Sequence, residues 1–562
     1  MVIKANVPDI EIPNVDIYGL LFETERPFPD DKIIFQDAKT GRSYTRAQTA
    51  STATEFGKGL KALWNWKKGD VLAVMSPNDI DVPATVWGTF WAAGVVTTVN
   101  PTYTAAELAY QLKIAKAKAI ATQLPMVPIA LEAAKEAGIP KDRIILLGDQ
   151  RDAKAEFKHF TSIKNISGAT RFRRTKSKPD DVAFIVFSSG TTGLPKGVML
   201  SHRNLVSNIL QNSTAEDGLS LSGGSDGKGD KLMAVLPFFH IYGLTVLIHM
   251  PMWSGYQTYV MSKFDLEEYC ANVQKYKATY SHVAPPIVLA LARSPVVDKY
   301  DLSSLRMLNS GAAPLKPELV NALVTRIKTI GIKQGYGLSE TSPTVSVGSW
   351  KNWQENTASA GFLMPNIEVR IMSVLEEHSE GERVELPFPG NPDQVGEVFV
   401  RGPNIFMGYL DNPTATADCL DKDGWFRTGD IGYVDERYRL FITDRLKELI
   451  KYKGYQVPPA ELEDVLLSCP AVLDSAVVGV PVDDGEIPRG YVVPADATKT
   501  SEKDAQEIMD WVAQRVVHYK RLRGGVKFID AVPKSVSGKI LRRVLKEEVK
   551  KEVEAQKTKA KL

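Results

Sequence analysis

Along this chain, short apolar runs take turns with longer stretches whose apolar residues recur at helical spacing. Val71-Leu-Ala-Val-Met75 reads as a strand, Ala105 to Ala117 as a helix, and Ala119-Ile-Ala121 as extended again. Arg143-Ile-Ile-Leu-Leu-Gly148 and Val182-Ala-Phe-Ile-Val-Phe187 are further strand-like runs. Such alternation predicts α/β layers with parallel strands up to about Asp180. Lys231 to Leu236, Leu305 to Ser310 and Gly396 to Arg401 continue as strands closed by proline or small residues. Between them, Gly218 to Asp230 is rich in Gly, Ser and Asp and reads as a surface loop. After residue 447 the pattern changes. Pro458-Pro-Ala-Glu-Leu-Glu-Asp-Val-Leu466 opens a helix with proline at its start. Strands around Ser475 to Val480 and Gly490 to Val493 then complete a small α+β unit.

Length and composition narrow this picture. At 562 residues the chain holds roughly three to four folding units. With 44% hydrophobic and 24% charged residues it has material for a large core. A net charge of +2 argues against a nucleic-acid partner. Cys270, Cys419 and Cys469 are far apart and odd in number, so neither a disulfide framework nor a metal-ligand spacing is expected. The apolar run Val86 to Val99 is too short and too polar to span a bilayer, and no secretory signal is evident. The last three residues, Ala560-Lys561-Leu562, are similar to the S-K-L peroxisomal address, so a peroxisomal import receptor is the expected partner of the tail.

The candidate chemistry starts where the Val182–Phe187 run ends. Ser188, Ser189, Thr191 and Thr192 are interleaved with Gly190 and Gly193, and Lys196-Gly197 follows. Hydroxyls, exposed N–H groups and a lysine on a glycine-rich turn make a cradle for an anion, most simply a polyphosphate. It is not a Walker A loop, because Leu194 and Pro195 separate Gly193 from Lys196. The segment resembles the phosphate loop of the adenylate-forming superfamily, which includes acyl- and aryl-CoA ligases, adenylation domains of peptide synthetases and beetle luciferases.

Further stretches resemble that superfamily in its own order, from about Asn78 to Arg543. His240 in Phe238-Phe-His-Ile-Tyr242 matches the histidine that flanks the acyl carboxylate, and Tyr242 resembles ligases of the 4-coumarate type. Lys263 matches a CoA contact. Gly311-Ala312-Ala313-Pro314 leaves room for a flat ligand. In Gln334-Gly335-Tyr336-Gly337-Leu-Ser-Glu340-Thr341, two glycines free an aromatic ring to stack on a purine. Glu340 lies within reach of polyphosphate and calls for an intervening Mg²⁺. By the resemblance, Asp430 and Arg445 hold the ribose, Lys447 is the hinge, and Gln456 joins the nucleotide contacts. The resemblance likewise gives Lys539 to the forming acyl-adenylate, and Gly311, Gly335, Pro343 and Thr344 to the acyl pocket with His240 and Tyr242.

The implied fold is α/β: a large N-terminal domain of layered α/β subdomains over residues 1–446, and a small mobile α+β lid over 447–562. The implied reaction joins a carboxylic acid, ATP and coenzyme A. A carboxylate becomes an acyl-adenylate with loss of pyrophosphate. The lid then exchanges Lys539 for Lys451, Lys453 and Gly454, and CoA displaces AMP. The acid stays open between aromatic or arylalkanoic and fatty types, as in secondary metabolism. Three rivals share these motifs: an enzyme loading a free-standing carrier protein, a luciferase-like oxygenase, and a non-catalytic nucleotide binder. The last would be expected to lack Glu340, Asp430, Arg445 or Lys539, and all four are present.

Overall fold

The computed structural model describes residues 1–164, 166–188, 195–215, 229–355, 357–374, 383–452, 455–482, 485–535 and 538–559. Two large sheets dominate the N-terminal part. In the eight-stranded sheet, Val182–Ser188, Val95–Val99, Val71–Met75, Ala117–Thr122 and Ile144–Leu146 run parallel and side by side. Parallel neighbours need crossover helices, and these cover the sheet faces. Val71–Met75 is therefore buried at every position, as is the crossover helix Asp81–Trp91. The apolar run that looked continuous from Val86 to Val99 is the end of this helix, a turn at Ala93 with positive φ, and the strand Val95–Val99. The helix at Ala105 stops at Ile114, where Lys116 turns the chain with φ +54°.

The nine-stranded sheet carries Lys231–Ala234, Tyr280–Val283, Met307–Ser310 and Gly331–Gly337 as parallel neighbours. Helix His202–Ala215 packs between the two sheets, and nine of its residues are buried. Several of these are amides. Asn204 Nδ2 donates to Pro403 and Ile405 carbonyls, Asn208 Nδ2 to Thr344 O, and Gln211 Nε2 to Pro365 O. Each of these amides meets a backbone acceptor, so a helix of polar sequence serves as a hydrogen-bonding spine through the core.

A five-stranded sheet containing Gly396–Arg401, Phe426–Val434 and Leu440–Arg445 completes this part. The turn at 446–449 then leads to a separate sheet built on Ile450–Tyr452, Tyr455–Val457, Val472–Val482 and Gly485–Pro494. The last two strands form one long antiparallel hairpin, longer than the sequence pattern suggested. Helices Pro459–Leu467, Glu502–Ala513 and Arg542–Lys559 pack on this sheet. Ile450, Leu462, Val477 and Val512 close one apolar cluster here, and Val478, Tyr491, Leu545 and Val549 another. The small domain thus has its own core, as an independent folding unit does.

Candidate active site

A cleft of about 320 Å³ lies where the small domain faces the large one. Its floor comes from two adjacent parallel strands, Met307–Ser310 and Gly331–Gly337, paired Ser310 to Gln334. In parallel sheets, ligands sit outside the carboxyl ends of the strands. Ala312, Ala313 and Pro314 follow the first strand into the cleft, and Gly335, Tyr336 and Gly337 end the second. Ala312 adopts φ +73°. Gln334 lines the cleft, and its amide is taken up by the rim. Its Nε2 donates to Leu315 O at 2.8 Å, and its Oε1 accepts from Leu315 N at 2.7 Å. The side chain clamps the rim in place. Gly337 is required by close approach, since a Cβ there would lie 2.1 Å from Pro343 O.

Across the cleft, Asp430 and Arg445 stand directly opposite each other on antiparallel strands. Arg445 Nε donates to Asp430 Oδ1 at 3.1 Å, and Tyr336 Oη donates to Oδ2 at 2.6 Å. Asp430 is 3% exposed, yet both of its oxygens are met. Burial first, then the Asp430 carboxylate, raise the Tyr336 phenol well above its ordinary value and keep it a donor.

The small domain contributes Lys539. Gly538 turns with φ +84° and donates to Ser535 O at 2.8 Å, and Lys539 N donates to Ser535 Oγ at 3.1 Å. A Cβ on Gly538 would touch Pro286 Cδ at 3.1 Å, so this loop is seated on the start of helix Pro285–Arg293 in the large domain. The Lys539 ammonium is pushed down to about 8, by burial first and by Arg445 second, against the opposing pull of Asp430 and Glu340. His240 is held to about 3 by burial, with the Lys539 charge adding to it. One lysine therefore senses Asp430, Arg445, Glu340 and His240 together.

Glu340 sits in the one-turn helix Ser339–Thr341 and is 8% exposed. Its Oε1 accepts from Tyr409 Oη at 2.9 Å. Lys196 Nζ stands 4.9 Å from the centre of the Tyr409 ring. Burial and then Glu340 raise the Tyr409 phenol above its ordinary value. Tyr409 was not singled out from sequence. Its signal is Gly408-Tyr409, a two-residue strand that pairs with Lys196–Ser201. Ser188 and Lys196 face each other on adjacent strands. Ser189, Gly190, Thr191, Thr192 and Gly193, which join them, lie outside the described residues, as do Lys453, Gly454 and the Ala560–Leu562 tail.

Beside His240, whose Nδ1 accepts from Tyr242 N at 3.3 Å, the Tyr242 phenol donates to Asn309 O at 3.0 Å and lies 3.2 Å from His282 Nδ1. Its ring packs on Gly311, where a Cβ would lie 2.9 Å from Tyr242 Cε1. His282 is neutral, held to about 3 by burial and then by Lys333. Nothing around it in Tyr280-Ser-His282-Val283 singles it out. Pro343 and Thr344 are buried, and the Thr344 backbone is bound to the Asn208 amide. Thr341 is also fully buried, and its hydroxyl accepts from Leu338 N at 2.9 Å.

Four predicted residues are elsewhere. Lys263 is exposed in the turn after Gln257–Val260, and Lys447 in the turn between the two domains' sheets. Lys451 and Gln456 oppose each other on an exposed hairpin of the small domain and do not line the cleft. Among the described residues no cluster of three His, Cys, Asp or Glu could hold a metal by itself.

The comparisons agree with this geometry. The model of the AMP-binding enzyme family matches residues 21–410, and that of the AMP-binding enzyme C-terminal domain matches 461–539. The chain belongs to the AMP-binding enzymes and is an adenylate-forming acid–CoA ligase. It is 39% identical over 556 residues to the probable 4-coumarate–CoA ligase 1 of Dictyostelium discoideum, covering 97% of each chain. To the 4-coumarate–CoA ligase of Pinus taeda it is 37% identical, again over 97% of each. ATP-bound MatB from Rhodopseudomonas palustris superposes with a TM-score of 0.82 at 27% identity, over 95% of this chain and 99% of that one. The anthranilate CoA ligase AuaEII, in complex with anthranoyl-AMP, shares the fold at a TM-score of 0.83 and 20% identity, over 96% of this chain and 98% of its own.

Proposed function

We propose that the cleft binds ATP and a carboxylic acid, and that the structure represents the acyl-adenylate-forming orientation of the lid. The observation that carries this is that Lys539, from the small domain, lines one cleft with Asp430 and Arg445, close enough to Glu340 and His240 for their charges to act on one another. The acid's carboxylate oxygen attacks the α-phosphorus of ATP. The bond from that phosphorus to the bridging oxygen breaks, and pyrophosphate leaves. Negative charge grows on oxygens, so positioning and fixed positive charge do the catalysis. Lys539 supplies that charge at the reacting end. Asp430, with Arg445, accepts the ribose hydroxyls, and Tyr336, held by its phenol, offers its ring to the purine. The hydroxyls of the phosphate loop and Lys196 hold the β- and γ-phosphates.

Mg²⁺ fits as a companion of ATP rather than as a resident ion. Glu340 is a single buried carboxylate with one oxygen bound to Tyr409, and a hard cation taking its other oxygen would draw its remaining ligands from phosphate. Bound there, the ion would neutralise phosphate charge. In the second half-reaction the lid turns about Lys447 and brings Lys451, Lys453, Gly454 and Gln456 toward the cleft, with Lys263 also meeting CoA. The CoA thiolate attacks the acyl carbonyl carbon, and AMP leaves as the leaving group. The exposure of Lys451 and Gln456 supports this, because they are unengaged by the cleft in the present orientation.

The acid we propose is an aryl or arylalkanoic one. Tyr242 is held against Gly311 by its hydrogen bond to Asn309 O and its contact with His282, which suits an aromatic acyl group, and the 4-coumarate–CoA ligases that this chain is similar to are named for such an acid. A panel of cinnamic, benzoic, phenylacetic and fatty acids, scored by pyrophosphate release and CoA-thioester formation, tests this. A preference for straight-chain fatty acids would overturn the aromatic assignment. Release of pyrophosphate without thioester, unless a carrier protein is added, would overturn CoA as acceptor. We also propose peroxisomal import through Ala560-Lys561-Leu562. A fluorescent fusion at the N-terminus that stays cytosolic with the tail intact would overturn it.

A further inference from the structure

The small domain is fastened within itself by ion pairs on both sides of Lys539. Arg542, three residues after Lys539, donates through Nη2 to both oxygens of Glu463 at 2.8 and 2.7 Å and pairs with Glu448 of the hinge turn through Nη1. Lys534, five residues before Lys539, pairs with Asp474. The Lys539 loop, helix Pro459–Leu467 and the hinge turn therefore move as one body.

Contacts across the cleft are of another kind. Ala460 N, at the start of helix Pro459–Leu467, donates to Asp444 Oδ2 at 3.1 Å. The Gly538 turn rests on Pro286. Lys316 pairs with Asp464 on the same helix, with side chains 18% and 54% exposed. Lys316 follows Leu315 directly, and the Gln334 amide clamps Leu315 on both sides. The ammonium thus reaches the small domain from a stretch of the rim that the Gln334 amide holds in place.

We propose that Lys316 is a positioning residue of the first half-reaction: its ion pair with Asp464 latches helix Pro459–Leu467 in the orientation that delivers Lys539. A contact made in one orientation and absent from the other shifts the balance between them by its own free energy. The latch must open before the hairpin bearing Lys451 can turn inward, so Lys316 favours adenylation and opposes thioester formation. This rests on the reading of Lys539 as the lysine of the first half-reaction.

The test uses the full chain with Lys316→Met, Asp464→Asn, and the swapped pair Lys316→Asp with Asp464→Lys. Single-turnover pyrophosphate formation reads the first half, and thioester formation from supplied acyl-adenylate reads the second. Each single variant is expected to slow the first half roughly 3- to 10-fold, the range of a partly buried ion pair, and to leave the second equal or faster. The swap should recover the first half to within about twofold of the native rate, which a loss of fold could not mimic. Added salt should slow the native first half and leave Lys316→Met unmoved. Equal slowing of both halves, no change in either, or a swap no better than the single variants would overturn the latch. Lys539→Ala separates the two claims. If it slows both halves alike, the underlying reading fails. If it slows only the first while Lys316→Met slows neither, the latch alone fails.

Discussion

The two walls of the cleft are built to different rules. On the large-domain side, Asp430 is nearly inaccessible and has both oxygens bound, by Arg445 across the sheet and by the Tyr336 phenol. On the small-domain side, Lys539 stands on a glycine turn whose backbone bonds to Ser535 and which rests on Pro286. The first wall is fixed before any ligand arrives, as recognition of a constant nucleotide demands. The second arrives as a unit and can leave as one, as a charge needed in only one of two steps demands. On the proposed mechanism, specific binding and catalytic charge thus belong to separate bodies.

The largest effect should come from the mobile wall. Lys539→Ala is expected to cut acyl-adenylate formation by roughly 100-fold or more, while thioester formation from supplied acyl-adenylate stays within a few-fold. Pre-steady-state assays of the two halves check this, and equal losses would erase the contrast between the walls. Next is the fixed wall. Asp430→Ala leaves the Tyr336 phenol and the Arg445 guanidinium without their shared acceptor. It should destabilise the fold by roughly 2 kcal/mol in denaturant titration and raise the KM for ATP at least about tenfold. A change in KM with unaltered stability would mean the wall is not preorganised.

A smaller effect is carried by pH. Lys539 is charged below about 8 and neutral above it, so kcat/KM for adenylation should fall as pH rises through that value. Bound polyphosphate favours the charged form, so the kcat profile should break at a more alkaline pH. The Lys539→Arg variant should lose the break near 8, and its persistence would assign it to another group. The smallest effect is expected from Tyr409→Phe. It removes the hydrogen bond to Glu340 while keeping the ring beside Lys196, and should raise the Mg²⁺ concentration needed for half-maximal adenylation about two- to fivefold. An unchanged requirement would detach Glu340 from the metal.

The contrast also explains what was legible in the sequence. The strands were, because apolar runs such as Val71–Met75 are buried on both faces and carry an unbroken signal. Asp430, Arg445, Glu340 and Lys539 were named through the resemblance of their segments to one superfamily, because a lone carboxylate, arginine or lysine in a turn carries no signal of its own. Helix His202–Ala215 was not, since its buried amides look like solvent-facing ones until the backbone carbonyls they bind are in place. Tyr409 and His282 escaped for a similar reason: each acquires its role from a partner far off in sequence, Glu340 for one and Tyr242 for the other. Gln334 was legible as a site residue but not in its manner of acting, which depends on where Leu315 comes to rest.

The seat of the Gly538 turn on Pro286 also fixes an order of events. While that turn is down, the helix Pro285–Arg293 side of the cleft is capped by the very loop that carries the lysine. On the proposed lid rotation, coenzyme A enters only after that turn lifts, so it should appear in steady-state kinetics as a ping-pong partner, its plots parallel to those for ATP once pyrophosphate is removed. A crowded pool of thiol would then neither hasten nor obstruct activation of the acid.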